Sequence, residues 1–382
     1  MLLKKVAVFL TFAVLILLIL VGYLPIIFGF FQQDEWLGLA RFIPLKNEGF
    51  WVVFLNAITP SGAHYTPLST LLIYSMFSLF DLNYSLYAIV SIVLHISASI
   101  LVFVLAKILF EDFKSAFFAT LLFGVSAAGF QATAWPIADV STHGSTIFGF
   151  ASIILFIKFV KTRDGWMIAL CLLTLMISLL FKEITIGFFA LFPVSLFVLN
   201  SFKHHEKIKY SLIIIFVGMI YLIFRLFVFS SADQIGSGTS FDRNTFLYNV
   251  LSVPPKVLVQ SIIPSFQMYD VAHQLTRFVP NSITGEINSP EYEEFVLKRT
   301  FEATNLLLFT IVVICCLVLF RHYGSKKTGL IIFSILFVLI NSLVFVFAPE
   351  RQGIIFTIDS RNLYLISGGT IVLVMALGNL FK

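Results

Sequence analysis

The sequence predicts an all-α, polytopic membrane protein, and two features support this: its composition and the length of its apolar runs. Of its 382 residues, 59% are hydrophobic and only 12% are charged, and the mean hydropathy is +0.99. A soluble domain carries about 25% charged residues. The apolar runs are continuous over roughly 20 residues, as in membrane-crossing helices, whereas a β-barrel alternates polar and apolar residues. We expect roughly ten transmembrane helices, with further helices at the membrane surface.

The first apolar run, residues 6–30, predicts an uncleaved N-terminal anchor, because it follows Lys4 and Lys5 and no small-residue cleavage motif comes after it. Residues 66–80 are apolar but short, and an eleventh crossing there would reverse every later loop. We expect this segment to lie at, or dip into, the outer surface. The predicted crossings are residues 6–30, 84–109, 115–134, 141–159, 165–181, 184–200, 211–230, 302–320, 328–348 and 362–381.

The positions of Lys and Arg predict the orientation of these crossings. Lys4 and Lys5 place the N-terminus in the cytoplasm, and Lys382 then ends on the same side. The basic loops around residues 158–163, 203–209 and 321–327 also become cytoplasmic. The net charge of +5 is therefore a signal of membrane topology, and we expect no nucleic-acid partner.

We expect three parts in the chain. Residues 1–230 form an N-terminal transmembrane catalytic module, whose first outer loop is residues 31–83. Residues 231–301 form an extracytoplasmic loop, and residues 302–382 form the C-terminal transmembrane helices. Within the loop, residues 248–263 are amphipathic, and Pro254 and Pro255 predict a break into two interfacial helices.

Asp34 and Glu35 are adjacent carboxylates where the chain leaves the first apolar run, in the stretch QQDEW. One interpretation is helix capping, with Asp34 as N-cap and Glu35 in the first turn of an interfacial helix. The other is a general base with an accompanying acid, because partial desolvation beside the bilayer raises a carboxyl pKa.

Three histidines and an aspartate occur at or within the predicted outer halves of the spans. We expect His64 to be exposed, where it can contact a phosphate or a hydroxyl. His95 lies deep in a predicted crossing, where a hydrogen bond between helices is the expected role. Asp139 and His143 lie four residues apart in the stretch AWPIADVSTHG and can share a helix face. A substrate contact is one interpretation of that pair, and a metal site would need at least one more ligand.

Several cations also occur at predicted membrane boundaries. Lys182 and Glu183 join two closely spaced apolar runs, either as an ion pair in a tight turn or as a cation for an anionic substrate with Glu183 orienting it. Arg225 lies amid apolar residues and needs either a lipid phosphate or a neighbouring carboxylate. Arg361 starts a helix, where the dipole disfavours a cation, so we expect a functional partner.

These motifs together resemble the C superfamily of integral-membrane glycosyltransferases, in particular its protein O-mannosyltransferase-like branch. The resemblance is carried by QQDEW, by HYTPLSTLLIY with LFDLNYSLYAIVSIVLH, by AWPIADVSTHG, by FKEITIGFFALFP, by YLIFR and by SRNLYLISGG, in that order. It implies an inverting transfer from a polyprenyl-phosphate sugar to a protein, glycan or lipid hydroxyl outside the cytoplasmic membrane. It also implies Asp34 as the base, with Glu35 supporting it or binding the acceptor, although the motif leaves either carboxylate open as the base. Lys182 and Arg225, with Arg361, are implied as phosphate ligands.

Two other function classes stay open from the sequence. One is a transporter or flippase for a lipid-linked or amphipathic anion, and the other is a non-catalytic subunit of an envelope-assembly pathway. A transporter needs polar residues through the full depth of the bilayer, whereas the predicted polar residues gather on one side. We expect no required cofactor because the sequence has no dedicated metal-ligand cluster, although its carboxylates leave a divalent cation open.

Overall fold

The structure is a computed structural model, and its elements are helical. It describes residues 2–59, 65–198, 202–228, 243–276, 290–322, 325–346, 358 and 360–378. The chain divides into two compact units, Met1–Thr239 and Ser240–Lys382.

The first unit contains eleven of the described α-helices. They are α1 (Leu2–Tyr23), α2 (Gln33–Ala40), α3 (Phe50–Ile58), α4 (Pro67–Phe80), α5 (Tyr84–Phe110), α6 (Phe113–Gly124), α7 (Ala127–Ala134), α8 (Val140–Thr162), α9 (Gly165–Phe181), α10 (Phe188–Val198) and α11 (His204–Val228). A 3-10 helix, Leu24–Phe28, extends α1, and another, Glu183–Thr185, joins α9 to α10.

Helix α8 lies at the centre of the first unit and packs most extensively against α9 and α5. Small side chains allow these helices to approach closely. A Cβ atom added to Gly144 would lie 2.2 Å from the ring of Phe181 on α9. The first two turns of α8 bury polar residues, whereas its later turns bury mainly aromatic and branched ones such as Phe150, Phe156 and Phe159.

The second unit contains α12 (Arg243–Gln260), α13 (Ser265–Thr276), α14 (Pro290–His322), α15 (Ser325–Val346) and α16 (Tyr364–Gly378), with a 3-10 helix at Ser360–Leu363. Helix α12 packs against α14 and α15, and α15 packs against α16. The predicted break at Pro254 and Pro255 is wrong, because α12 continues through both prolines. Both are buried, so packing there outweighs the two intrahelical hydrogen bonds that proline cannot donate.

Among the described residues, six helices are long and apolar enough to cross a membrane. They are Leu10–Phe28, Tyr84–Phe110, Val140–Thr162, His204–Arg225, Thr328–Val346 and Ser360–Gly378. A seventh candidate is the pair Phe113–Gly124 and Ala127–Ala134, which is bent by 48°. The prediction of a helical protein with several membrane-crossing helices is thus confirmed.

The predicted number of about ten crossings is not confirmed by the described residues. Predicted crossings 165–181 and 184–200 correspond to α9 and to Glu183–Val198, which are shorter apolar helices. A straight crossing needs roughly 20 residues, since each adds 1.5 Å. Predicted crossing 302–320 lies within the 33-residue helix α14, and Pro67–Phe80 is a short apolar helix, as its sequence predicts.

Candidate functional site

A cavity of about 530 Å³ lies at one end of the first unit, where α2, α3 and α4 meet the start of α8 and the end of α9. Among the residues that the structure describes, its wall holds one carboxylate, Asp34, and two cations, Arg41 and Lys182. The other polar side chains on the wall are Asn56 and the hydroxyl groups of Thr59, Tyr65, Thr66, Ser69, Thr70 and Ser141. This cavity therefore gathers charged and hydroxyl groups in a chain that otherwise carries few charges.

Helix α2, with its C-cap residue Arg41, brings Asp34, Gly38 and Arg41 to the same wall of the cavity. Residues spaced four and three apart lie on one face of an α-helix. The prediction that Asp34 is the N-cap is wrong, because α2 begins at Gln33 and its N-cap is Gln32. Asp34 is therefore in the first turn and exposed, and its negative charge is favourable at this end of the helix.

Glu35 is fully buried behind the cavity wall, with 0% of its surface exposed. Its Oε2 atom accepts a hydrogen bond from the Gln32 backbone N–H at 2.9 Å, and its Oε1 atom accepts one from the Ile137 N–H at 2.8 Å. Burial raises the pKa of the Glu35 carboxyl, although backbone N–H groups oppose this shift, and the nearby charge of Asp139 adds to it. Glu35 thus joins the start of α2 to the segment before α8.

Lys182 reaches the cavity from the end of α9 and contacts the start of α8. Its Nζ donates a hydrogen bond to Thr142 Oγ1 at 2.7 Å, and the Thr142 hydroxyl donates to Asp139 Oδ1 at 3.0 Å. The Lys182 carbonyl accepts from Ser145 Oγ at 2.9 Å, which holds the backbone there. Lys182 is half-buried, whereas Asp139 and Thr142 are buried.

Glu183 and Arg225 form an ion pair between the α9–α10 junction and α11. Each side chain keeps 21% of its surface exposed. Of the two partners that the sequence left open for Arg225, the neighbouring carboxylate is therefore present. The aromatic ring of Tyr65, on the cavity wall, contacts Phe224 with ring centroids 5.5 Å apart. Because Phe224 precedes Arg225, the Glu183–Arg225 ion pair lies near the cavity, but neither residue lines it.

His143 and His95 lie in the core of the first unit and are absent from the cavity wall. His143 Nε2 is 3.3 Å from Ser91 Oγ, and the two imidazole centroids are 6.1 Å apart. His95 Nε2 donates to the Gly124 carbonyl at 2.9 Å, which confirms the predicted hydrogen bond between helices.

The placement of two other predicted site residues is as follows. His64 lies outside the described residues. Arg361 belongs to the second unit, half-buried in the 3-10 helix that precedes α16. Asp34 and Lys182 line the cavity, Glu35 and Asp139 lie buried next to it, and Glu183, Arg225 and His143 make the contacts described above.

Sequence reasoning missed Arg41 and Thr142. The signal for Arg41 was its spacing of seven residues from Asp34, which places it two turns away at the C-cap of α2. The signal for Thr142 was its place between Asp139 and His143, where a buried hydroxyl can bridge a carboxylate to a cation.

The cavity can accept a proton at Asp34 and stabilise negative charge at Arg41 and Lys182. Within the described residues, no three His, Cys, Asp or Glu side chains are grouped so that they could hold a metal ion. No family model, no curated protein and no solved structure matches the chain.

Proposed function

We propose that the protein is an inverting glycosyltransferase that moves a sugar from a polyprenyl-phosphate donor to an acceptor hydroxyl on the extracytoplasmic face of the membrane. The observation that carries this proposal is that one cavity holds an exposed carboxylate together with two cations, Arg41 and Lys182. Such a transfer needs a base for the acceptor and positive charge for the departing phosphate.

In the proposed reaction, Asp34 takes the proton from the acceptor hydroxyl. The acceptor oxygen attacks the anomeric carbon, and the bond from that carbon to the phosphate oxygen breaks. The polyprenyl phosphate leaves with the bonding electrons, and Arg41 and Lys182 stabilise its negative charge. A single displacement of this kind inverts the anomeric configuration.

Asp34 is a better base than Glu35 because of its surroundings. Asp34 is exposed on the cavity wall, whereas Glu35 is buried and accepts hydrogen bonds from two backbone N–H groups. A base must come within about 2.6–3.2 Å of the proton that it removes. We assign Glu35 the role of holding α2, and thereby Asp34, in place.

The distribution of basic residues along α8 supports an extracytoplasmic cavity. Asp139 and Val140, at one end of α8, adjoin the cavity, whereas Lys158, Lys161 and Arg163 lie at the other end. A 23-residue helix is about 34 Å long, enough to cross the hydrocarbon core. Because Lys and Arg are enriched on the cytoplasmic side, we assign the cavity end of α8 to the outside.

The short helices around the cavity suit the outer membrane surface. Trp36 on α2, and Phe50 and Trp51 on α3, are exposed aromatic residues, which favour the boundary between water and lipid. Asn56 and Ala57, in the last turn of α3, line the cavity. In this proposal α2 and α3 are the interfacial helices. Helix α14 and the shorter apolar helices Gly165–Phe181 and Glu183–Val198, which a locally thinner bilayer accommodates, bring the number of crossings to roughly ten.

The buried residues of α8 favour a one-sided site over a transport pathway. Beyond Gly149, the buried residues of α8 are apolar except Ser152, whose hydroxyl donates to a carbonyl of its own helix. Alternating access places polar groups through the bilayer depth.

The test is sugar transfer by the full-length protein in proteoliposomes with a cell-derived pool of labelled polyprenyl-phosphate sugars. Asp34→Asn should lower turnover by about 10²–10⁴-fold, the usual contribution of a general base. Glu48→Gln, which changes an exposed carboxylate that is not on the cavity wall, is the matched control. Equal turnover by wild type and Asp34→Asn overturns the base assignment, and a wild type that transfers no sugar overturns the proposed function.

A further inference from the structure

Asp139 is a buried carboxylate at the N-cap position of α8, but it does not cap the helix. Only 1% of its surface is exposed, and its side chain makes no capping hydrogen bond. An N-cap aspartate commonly accepts a hydrogen bond from a backbone N–H of the first turn. Here Oδ1 instead accepts from the Thr142 hydroxyl at 3.0 Å. The carboxylate is therefore directed to a side chain, and capping does not explain it.

The Thr142 hydroxyl joins this carboxylate to Lys182. A hydroxyl group has one hydrogen to donate and lone pairs that accept. Because the Thr142 hydroxyl donates its hydrogen to Asp139, its oxygen lone pairs are available to accept a hydrogen bond. Lys182 Nζ, 2.7 Å from Thr142 Oγ1, donates that bond. The contacts form one directed chain from the ammonium through the hydroxyl to the carboxylate, with the bridging hydroxyl itself buried.

This series of hydrogen bonds ends at the cavity wall. Lys182 is the only one of the three that lines the cavity wall among the described residues, and its backbone carbonyl is held by Ser145. A lysine side chain has four rotatable carbon–carbon bonds and loses about 2 kcal/mol of rotamer freedom when it is fixed. A flexible cation can bind an anion only after that freedom is lost, so a preformed contact removes part of the cost.

We propose that Asp139 and Thr142 are positioning residues, which hold the Lys182 ammonium at the cavity wall so that it can bind an anionic group of the substrate. The identity of that group as the donor phosphate rests on the proposed function. The positioning itself does not, because it is a property of the three side chains.

The competing explanation is that Thr142 and Asp139 only satisfy buried polar atoms. The two explanations differ in what they predict for a pair of matched variants. Thr142→Val keeps the shape of the side chain but removes the hydroxyl, whereas Thr142→Ser keeps the hydroxyl. Positioning predicts that serine preserves the behaviour of Lys182 and that valine changes it.

The first experiment measures the acylation of Lys182 by a water-soluble succinimidyl acetate, using the purified full-length protein and peptide mass spectrometry. Lys46, whose ammonium lies 2.8 Å from Asp81 on exposed side chains, is the internal control. In Thr142→Val we expect Lys182 to react at least roughly threefold faster relative to Lys46, because its ammonium is no longer held by a hydrogen bond. In Thr142→Ser we expect the wild-type ratio.

The same ratio in wild type and Thr142→Val overturns the inference. If Thr142→Val fails to fold, Asp139→Asn replaces it, since the amide keeps an oxygen acceptor but loses the charge. Faster reaction of Lys182 in Asp139→Asn supports the inference, and an unchanged ratio overturns it.

The second experiment connects positioning to the proposed reaction. We expect Thr142→Val to raise the KM for the polyprenyl-phosphate sugar roughly tenfold with kcat changed less than about threefold, and Thr142→Ser to restore KM. If acylation changes as expected but the wild type transfers no sugar, the proposed function fails and the positioning stands. If transfer proceeds but valine changes neither acylation nor KM, the positioning fails and the proposed function stands.

Discussion

Two neighbouring faces of helix α2 have different surroundings. One face carries Asp34, Gly38 and Arg41 and lines the cavity. The neighbouring face, about 100° around the helix, carries Glu35 and Leu39, which are buried. Each residue turns the helix by about 100°, so neighbours in sequence leave it in different directions. Two adjacent carboxylates therefore have different roles, and adjacency is a poor guide to a shared function.

The largest expected effect is on the buried face, with Glu35→Ala. Removing the carboxylate leaves the Gln32 and Ile137 backbone N–H groups without this acceptor. Each unsatisfied buried donor costs about 1–3 kcal/mol, so we expect a loss of about 2–5 kcal/mol in the free energy of unfolding. Asp34→Ala, on the exposed side, should change it by less than about 0.5 kcal/mol. Denaturant titration in detergent measures the free energy of unfolding of both variants. Similar losses for the two would contradict the prediction that the two faces of α2 contribute differently to stability.

The next effect concerns two leucines of the same helix. Leu39 is 1% exposed and packs in a core cluster with Phe42, Met76 and Phe77, whereas Leu37 is 69% exposed. Leu39→Ala should cost about 2–4 kcal/mol because it leaves a cavity in a packed core. Leu37→Ala should cost less than about 0.5 kcal/mol in detergent. A large loss in Leu37→Ala would mean that the apolar outer side of α2 is covered by protein.

The sequence was sufficient to predict the bounds of elements that have strong local patterns. The predicted crossing 84–109 differs from the observed helix Tyr84–Phe110 by a single residue, because a long continuous apolar run defines both of its ends. The sequence was insufficient where tertiary packing determines whether a helix continues. Pro254 and Pro255 predict a break in any isolated helix, yet α12 continues through them within the second unit.

The candidate site was predicted in part for the same reason. Asp34 and Lys182 were identified by their charge at the edge of apolar runs, and both line the cavity. The burial of Glu35 depends on a backbone N–H that lies 102 residues away in the sequence. No local pattern reports such a contact, so the two carboxylates had to be treated as equivalent until the fold brought residue 137 to α2.

A smaller effect is the pH dependence that Glu35 contributes to stability. Burial raises the pKa of the folded Glu35 above its ordinary value of 4.5, so the folded state binds this proton more tightly than the unfolded state. Its contribution is fully present at low pH and is lost as the pH rises above 4.5. The stability of wild type relative to Glu35→Gln should therefore fall with rising pH, by about 1.4 kcal/mol for each unit of pKa shift. Parallel stability curves for the two proteins from pH 4 to 8 would contradict this.

The smallest effect on stability should come from Gly38, on the cavity face of α2. A Cβ atom there would lie 3.3 Å from Ile137 Cγ2, a tight contact that a small movement of the isoleucine relieves. Alanine favours a helix over glycine by about 1 kcal/mol, so Gly38→Ala should stabilise the protein by up to that amount. Gly38→Leu should also fold but fill space beside Asp34, and sugar transfer should then fall at least roughly tenfold in kcat/KM. If Gly38→Leu transfers sugar normally, the acceptor binds elsewhere, and the difference between the two faces of α2 concerns stability alone.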